Sequence, residues 1–237
     1  MRVKLRDLPT RPSNRAVLSL AALGVTCALL TAFARSGTAA KSLVPDPAVD
    51  KPLATAAGTE TMVVAGGCFW GVQAVFQHVK GVIRATSGYA GGSARTASYE
   101  TVSTGRTGHA ESVKVTYDPS RISYGQLLKL FFSVAHDPTQ LNEQGPDVGT
   151  QYRSVIFFGD ETQQRIAQAY VSQMGAAKVF RGRIMTDIVA LKAFYEAEAH
   201  HQDYFNRHPF DPYIMINDKP KVEALRRQFP ELYVERK

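Results

Sequence analysis

Cysteine and tryptophan are scarce in this chain of 237 residues, which contains two cysteines and one tryptophan. Cys27 lies in a long apolar run, where a cysteine behaves as a small hydrophobic side chain. Cys68 is then left without a partner, so a fold held together by disulfides is excluded. A cysteine that has no structural pairing is a candidate reactive thiol.

The chain also lacks the spacings that metals and nucleotides require. The six histidines include the neighbours His200 and His201, which would not share one face of a helix. A single free cysteine does not make a zinc site, and no phosphate loop or dinucleotide fingerprint is present. We therefore predict no metal and no bound cofactor, and we interpret His109 and His136 as hydrogen-bonding residues of loops.

Most of the excess positive charge lies in the first 40 residues. The formal net charge of the chain is +7, but residues 1–40 have six basic side chains and one acidic side chain, a net +5. The remaining residues therefore carry only +2. This distribution does not indicate nucleic acid as a partner.

Residues 1–40 have the pattern of a targeting segment. Basic residues precede an uncharged apolar run over 16–34, which ends in the small residues of Ala32-Phe33-Ala34. This order is typical of a secretory signal peptide. The run is also nearly long enough to remain in the bilayer as an N-terminal membrane anchor. Either alternative predicts an exported, periplasmic protein, which touches a membrane only if this segment is not cleaved.

The rest of the chain divides into a linker and one folded domain. Residues 41–59 are rich in proline, alanine and threonine and have no apolar periodicity, which predicts a linker. From residue 60 to 237, strand and helix patterns follow one another in the order β-α-β-β-α-β. This order predicts an α+β fold, a two-layer ferredoxin-like (split βαβ) sandwich. The segment from His200 onward is predicted to be a C-terminal tail wrapped on the core, with a last short helix near 222–228.

Cys68 lies where a predicted strand (61–65) ends and a predicted helix begins. The free N–H groups and the dipole of a helix N-terminus stabilise a thiolate. The flanking glycines leave the sulfur approachable, and Phe69 and Trp70 can form the wall of an apolar cleft beside it. The alternative is a buried structural cysteine with two core aromatic residues.

The segment Gly66-Gly67-Cys68-Phe69-Trp70-Gly71 closely resembles the active-site signature of the A-type peptide methionine sulfoxide reductases. Other segments resemble that family in the same order over residues 60–235, and they are Ser87-Gly-Tyr-Ala-Gly-Gly92, Tyr99-Glu-Thr-Val102, Thr107-Gly-His-Ala-Glu111, Tyr117-Asp-Pro119, His136-Asp-Pro-Thr-Gln-Leu-Asn142, Gly145-Pro-Asp-Val-Gly-Thr-Gln-Tyr-Arg-Ser154, Phe194-Tyr-Glu-Ala-Glu198 and His201-Gln202. Six residues alone can match by chance, whereas this many ordered segments make the resemblance specific. It implies that 60–237 is a catalytic domain.

The resemblance implies a mechanism in which Cys68 attacks the sulfur of methionine sulfoxide and becomes a sulfenic acid. Glu111 is implied as the acid that protonates the departing oxygen, which requires a carboxyl kept neutral by a dry pocket. The resemblance further implies the S epimer of the sulfoxide as substrate, free or in oxidised proteins.

The other implied site residues bind the substrate. Tyr99 and Tyr152 are implied to donate hydrogen bonds to the sulfoxide oxygen, Asp147 to order the pocket, and Phe69 and Trp70 to hold the methyl group. On the residues alone, other interpretations stay open. A glutamate such as Glu111 is ordinarily solvated, the two tyrosines can be half-buried packing residues, and Asp147 can be a turn residue.

The chain departs from the family pattern in its C-terminal tail, which has none of the cysteines that attack the sulfenic acid in many relatives. An external thiol, either a small thiol or an exported thioredoxin-like protein, is therefore expected to regenerate Cys68. We expect a monomer.

Two other functions remain open. One is a thiol peroxidase, an enzyme that commonly uses an arginine and a hydroxyl residue, and the segment 66–71 lacks both. The other is a non-catalytic binder of oxidised proteins.

Overall fold

The structure is a computed structural model that describes residues 44–235. The predicted targeting segment, residues 1–40, and the start of the predicted linker lie outside these residues. Within 44–235, no helix combines the length and the apolar composition that a bilayer crossing needs.

The centre of the fold is a six-stranded sheet, accompanied by a separate two-stranded hairpin. The eight strands are β1 Glu60–Ala65, β2 Val82–Ala90, β3 Ala110–Tyr117, β4 Glu143–Gln144, β5 Asp147–Val148, β6 Val155–Phe158, β7 Asp187–Ala190 and β8 Phe194–Glu196. The strand order of the large sheet is β7-β6-β1-β3-β2-β8, and β4 pairs with β5 in the hairpin. All neighbours in the large sheet are antiparallel except β6 and β7, which are parallel.

Successive residues of the central strands pack into two different hydrophobic cores, because side chains alternate between the two faces of a sheet. Met62 and Val64 of β1 belong to the main core, whereas Val63 and Ala65 belong to a smaller cluster on the other face. Burial of both faces explains why β1 is a continuous apolar run rather than an alternating one.

Six helices accompany the sheet: α1 Phe69–Gln77, α2 Tyr99–Val102, α3 Tyr124–Leu130, α4 Glu161–Ala176, α5 Tyr204–Arg207 and α6 Lys219–Gln228. A π-helical turn extends α3 over Phe131–Ala135, and a second one, Ile214–Asp218, precedes α6. Ser123 caps α3, since its hydroxyl oxygen accepts a hydrogen bond from the backbone N–H of Gln126. The architecture is therefore α+β.

The C-terminal tail packs along α1. Val222 and Leu225 of α6 are buried in the main core, and the backbone N–H of Lys80 donates to the carbonyl oxygen of Leu232. The predicted last helix is present but begins earlier, at Lys219. Strand β7 begins at Asp187, where it pairs with β6. Strand β8 had no separate prediction.

The prediction of a linker over 41–59 needs correction where the structure describes it. Residues 44–59 contain neither helix nor strand, but Val44 is buried in the main core. The hydroxyl group of Tyr170 donates to the carbonyl oxygen of Pro45, and the carboxylate of Asp50 accepts hydrogen bonds from the hydroxyl of Ser123 and from the N–H of Gly125. The segment is a fixed strap across α3 and α4, held by long-range contacts that periodicity does not reveal.

We expect Asp50→Ala to lower the free energy of unfolding by about 1–2 kcal/mol, because it leaves two groups at the start of α3 without their acceptor. The matched control is Asp46→Ala, which removes an ion pair with Lys129 from a side chain that is 84% exposed. Exposed pairs contribute little, so the control should change stability by less than about 0.5 kcal/mol. Urea denaturation measures both; equal losses would argue against a fixed strap.

Candidate active site

Cys68 lies in the turn between β1 and α1, at the position that precedes the first helical residue. Gly67 before it has φ +89°, a conformation that only glycine adopts without strain. The residue Cys68 is 8% exposed. The predicted strand–turn–helix setting is thus observed, and the sulfur lies at the N-terminus of α1.

The predicted thiolate is not favoured in this structure. The pKa of the Cys68 thiol is raised well above its usual value, first by burial and then by the carboxyl groups of Glu111 and Asp218. The backbone amide of Trp70 and the ammonium group of Lys221 lower this pKa, but they do not compensate for the burial. Cys68 is therefore a thiol at neutral pH, because desolvation outweighs the dipole of the helix.

The pairing register of β1 and β3 places Glu111 near Cys68. Val64 of β1 pairs with Val113 of β3 in antiparallel fashion, which places Glu111, two residues before Val113, beside the end of β1. It also shares a face with Val113, which belongs to the main core. Its carboxyl oxygen Oε2 accepts a hydrogen bond of 3.0 Å from the backbone N–H of Phe69.

The environment of Glu111 keeps its carboxyl group protonated at neutral pH. The side chain is 3% exposed. Burial raises its pKa to about 8, and Asp147 and Asp218 add to the increase, whereas the hydrogen bond from Phe69 opposes it. A solvated glutamate, the alternative left open by the sequence, is excluded. The group can donate a proton to an oxygen that becomes more basic in the reaction.

A small cavity of about 80 Å³ adjoins the thiol, and it is lined by Cys68, Gln144, Gly145, Pro146, Asp147, Tyr213, Asn217 and Lys221. Asp147 lies on β5 and accepts a hydrogen bond from the hydroxyl of Tyr213 in the tail. Asp147 is thus a wall residue of the cavity, held in place by the C-terminal tail.

Tyr99 and Tyr152 lie close enough to the site to interact electrostatically with it. The pKa of Tyr152 is raised by burial and then by Glu111 and Asp147. The pKa of Tyr99 is raised by burial and by Glu111. Both phenols therefore remain protonated at neutral pH and can donate hydrogen bonds.

Phe69 and Trp70 have different surroundings. Phe69 is 1% exposed, and its ring packs 5.2 Å from His201 and 5.9 Å from Tyr89. Trp70 is partly exposed and stacks on Tyr204 at a centroid distance of 3.8 Å, while its Nε1–H donates to Nδ1 of His201 at 3.3 Å. Of the two rings, Trp70 has the surface that a ligand can reach.

Sequence reasoning missed the residues that the tail contributes. Asp218 is fully buried, and its Oδ1 accepts a hydrogen bond of 3.1 Å from Nζ of Lys221. Tyr213 completes the cavity wall from the same segment. One signal was available: Gly71 interrupts an amphipathic helix, which indicates that another group approaches it closely. A Cβ atom at Gly71 would lie 2.1 Å from Oδ1 of Asp218.

The arrangement combines a thiol, a neutral carboxylic acid and hydroxyl donors around a small cavity. In such a set the thiol sulfur can be oxidised by a substrate that gives up an oxygen atom. The carboxylic acid can protonate that oxygen as it leaves. Within 44–235, no group of three metal-ligating side chains comes together. Of the histidines, His109 bonds to Gly92 and to the carbonyl group of Ser93, and both ring nitrogens of His136 have partners in the protein.

Comparisons with known proteins agree on one family. A family model described as "Peptide methionine sulfoxide reductase" matches residues 60–233. The peptide methionine sulfoxide reductase MsrA 2 of Mesorhizobium japonicum is 60% identical over 181 residues, which cover 76% of this chain and 93% of that protein. All candidate site residues lie within the match to the family model.

Two solved structures are similar to the chain. The methionine sulfoxide reductase A of Corynebacterium diphtheriae is 35% identical, with a TM-score of 0.57, and the match covers 73% of this chain and 88% of that one. Mxr1 of Saccharomyces cerevisiae in reduced form is 32% identical, with a TM-score of 0.59, and the match covers 69% and 92%. Both structures support the α+β class.

Two helical glycines offer a test of the close approach at Gly71. Gly71→Ala should destabilise the protein by about 1–3 kcal/mol, because the new methyl group displaces Asp218. Gly175→Ala in α4 meets no atom within 4 Å, so it should stabilise the protein by about 0.5–1 kcal/mol through helix propensity. Denaturation midpoints distinguish the two, and a gain in stability for Gly71→Ala would contradict the observed packing.

Proposed function

The chain belongs to the peptide methionine sulfoxide reductase family, and from this premise we propose how its own residues reduce the sulfoxide. The protein is an oxidoreductase that converts methionine sulfoxide to methionine. The observation that carries the assignment of roles is the meeting of the Cys68 thiol and the neutral Glu111 carboxyl at the first turn of α1.

In the first step, Sγ of Cys68 forms a bond to the sulfoxide sulfur while Glu111 gives its proton to the sulfoxide oxygen. The carboxylate that remains takes the thiol proton, so Glu111 ends the step protonated. The oxygen is then transferred as a hydroxyl group, methionine leaves and Cys68 becomes a sulfenic acid. The cysteine sulfur loses the two electrons that the substrate sulfur gains.

We assign substrate binding to the groups around the cavity. Tyr99 and Tyr152 donate hydrogen bonds to the oxygen, Asp147 fixes the wall together with Tyr213, and Trp70, beside the core residue Phe69, receives the methyl group. The proposed substrate is the S epimer, free or in oxidised proteins, because each sulfoxide epimer has its own type of reductase and the curated relatives are MsrA proteins.

Turnover needs a thiol from outside. Within 44–235 the chain has no cysteine other than Cys68, and Cys27 lies in the predicted targeting segment. We propose that one external thiol attacks the sulfenic acid, which forms a mixed disulfide and water, and that a second thiol releases Cys68. A small thiol or an exported thioredoxin-like protein supplies these equivalents.

Lys221 supports this second half of the cycle. It lines the cavity of Cys68, and its ammonium group lowers the pKa of the thiol. When the mixed disulfide is cleaved, Cys68 leaves as a thiolate, and a nearby cation stabilises that charge. Asp218, which is buried and bonded to Lys221, holds the ammonium group at this place.

The finer features of fold and location are also proposals. The order β6-β1-β3-β2 with crossovers through α1 and α3 supports a split-βαβ, ferredoxin-like plan. The basic and apolar residues of 1–40 support export to the periplasm, by a cleaved signal or with an anchor. We propose that the folded domain acts as a monomer.

The first test compares the full chain with Cys68→Ser on a peptide that contains both sulfoxide epimers, with excess dithiothreitol. We expect only the S epimer to disappear, and only when Cys68 is present. Without a thiol, the wild-type protein should consume one equivalent and gain one oxygen atom. Peptide that binds without conversion would favour a binding module, and loss of the thiol to peroxide without action on sulfoxides would favour a thiol peroxidase.

The second test concerns the proton donor. Because the acid acts in its protonated form and its pKa is raised to about 8, activity should be constant below that pH and fall as the pH rises through it. Glu111→Gln should lower kcat by about 10²–10⁴-fold and lose this limb of the profile. The matched control is Glu161→Gln, an exposed residue of α4, and its profile should be that of the wild type.

A further inference from the structure

Three further cavities, each of which shares lining residues with the next, lead away from the cavity of Cys68, and we call this series the furrow. The adjoining cavity, of about 340 Å³, shares Gln144 and Lys221 with the cavity of Cys68. The Gln144 side chain lines both cavities, and a Cβ atom at Gly67 would lie 2.5 Å from it. Its amide group is fixed by two hydrogen bonds of 3.0 Å with the backbone of Asp137. Gln144 is therefore fixed in place directly beside the turn that contains Cys68.

The furrow continues past Asp137 to a wider end. A third cavity, of about 360 Å³, shares His136 and Asp137 with the second. It shares Phe180 and Arg181 with a fourth cavity, of about 620 Å³. The loop between α4 and β7 is fixed against this path by a hydrogen bond of 2.7 Å from the backbone N–H of Met185 to the carbonyl oxygen of Pro138.

The cavity at the wide end of the furrow is lined by basic and apolar residues. Lys178, Arg181 and Arg183 line it and are all exposed, and no acidic residue is among its lining residues. In the part of the chain that the structure describes, none of the three forms an ion pair with a carboxylate. The apolar part of the lining consists of Val171, Met174, Phe180 and Ile184.

We propose that this furrow docks an extended peptide segment of an oxidised substrate protein, with the methionine sulfoxide at Cys68 and acidic side chains at the basic end. The inference rests on the proposed function and specifies its substrate class. Charge complementarity identifies the occupant, because three unpaired cations attract carboxylates. Asp137 lies midway and disfavours an acidic side chain there, so distance along the peptide matters.

Other occupants fit the charge or the size of the furrow less well. Residues 1–40 of this chain carry a net +5 and would be repelled by the basic end. A small thiol reductant is too short to occupy both ends of the furrow. A protein reductant remains as an outcome that the test distinguishes.

The test uses the full chain and a triple variant, K178Q/R181Q/R183Q. The matched control, R165Q/R226Q/R227Q, removes the same charge from exposed positions on α4 and α6. The substrates are peptides of equal length with one methionine sulfoxide and three glutamates placed next to it, far on its N-terminal side or far on its C-terminal side. A peptide with three glutamines and N-acetylmethionine sulfoxide complete the set, and dithiothreitol serves as the reductant.

We expect one of the two distant acidic peptides to have the lowest KM with wild-type protein. The triple variant should raise that KM about tenfold with unchanged kcat and leave the glutamine peptide and N-acetylmethionine sulfoxide unaffected. The control variant should behave as wild type, and salt should remove the preference. Equal KM values for all peptides, or an equal effect of the control variant, would overturn the proposal.

Two further results separate the possible failures. If N-acetylmethionine sulfoxide is reduced but acidic peptides have no advantage, the docking proposal fails and the proposed function stands; if no sulfoxide is reduced, the proposed function itself fails. If the triple variant leaves peptide KM unchanged but raises the KM for a thioredoxin-like protein that replaces dithiothreitol, the furrow serves the reductant and the proposal is wrong.

Discussion

The hydrogen bond from the backbone N–H of Phe69 to the carboxyl group of Glu111 is the contact on which the site depends. It joins the first turn of α1 to the start of β3, and so it fixes the acid relative to the thiol that immediately precedes Phe69. Both reacting groups are buried, and burial disfavours the charged form of each. The protein thereby keeps a neutral thiol and a neutral acid side by side. In water the carboxyl would be ionised, and on the proposed mechanism Glu111 could then not supply the proton that the sulfoxide oxygen needs.

The C-terminal tail covers the site. It contacts α1 although more than a hundred residues separate the two in the sequence. Trp70 stacks on Tyr204, Asp147 bonds to Tyr213, and Asp218 reaches the backbone at Gly71. Asp218 also helps to raise the pKa of both Cys68 and Glu111. The tail is therefore part of the electrostatic environment of the site as well as its cover. At Asp218 the two contributions coincide, since the same buried carboxyl group packs against Gly71 and acts on the pKa of Cys68 and Glu111.

The sequence predicted the parts of the site that depend on local structure. Cys68 was placed correctly because a strand, two glycines and a helix follow one another within a few residues. Burial of Glu111 was within reach too, because the alternation of β3 puts it on the face of Val113. The raised pKa of Cys68 was not predicted, since the helix dipole is visible in the sequence whereas desolvation by distant residues is not. The same holds for Asp218, Lys221 and the strap at Asp50, whose partners are found only once the chain has folded.

A chain with a single cysteine in its folded domain must bring sulfoxide and reducing thiol to the same sulfur. The cavity beside Cys68 is small, about 80 Å³, and on the proposed mechanism methionine has to leave before a thiol can approach the sulfenic acid. The two half-reactions are then consecutive and share one entrance. Relatives with cysteines in the tail can instead pass the oxidation to a second sulfur. The tail of this chain provides Asp218 and Lys221 near Cys68, and these side chains cannot carry oxidising equivalents. A fixed cation instead favours release of Cys68 as a thiolate, so the tail assists regeneration by electrostatics rather than by redox chemistry.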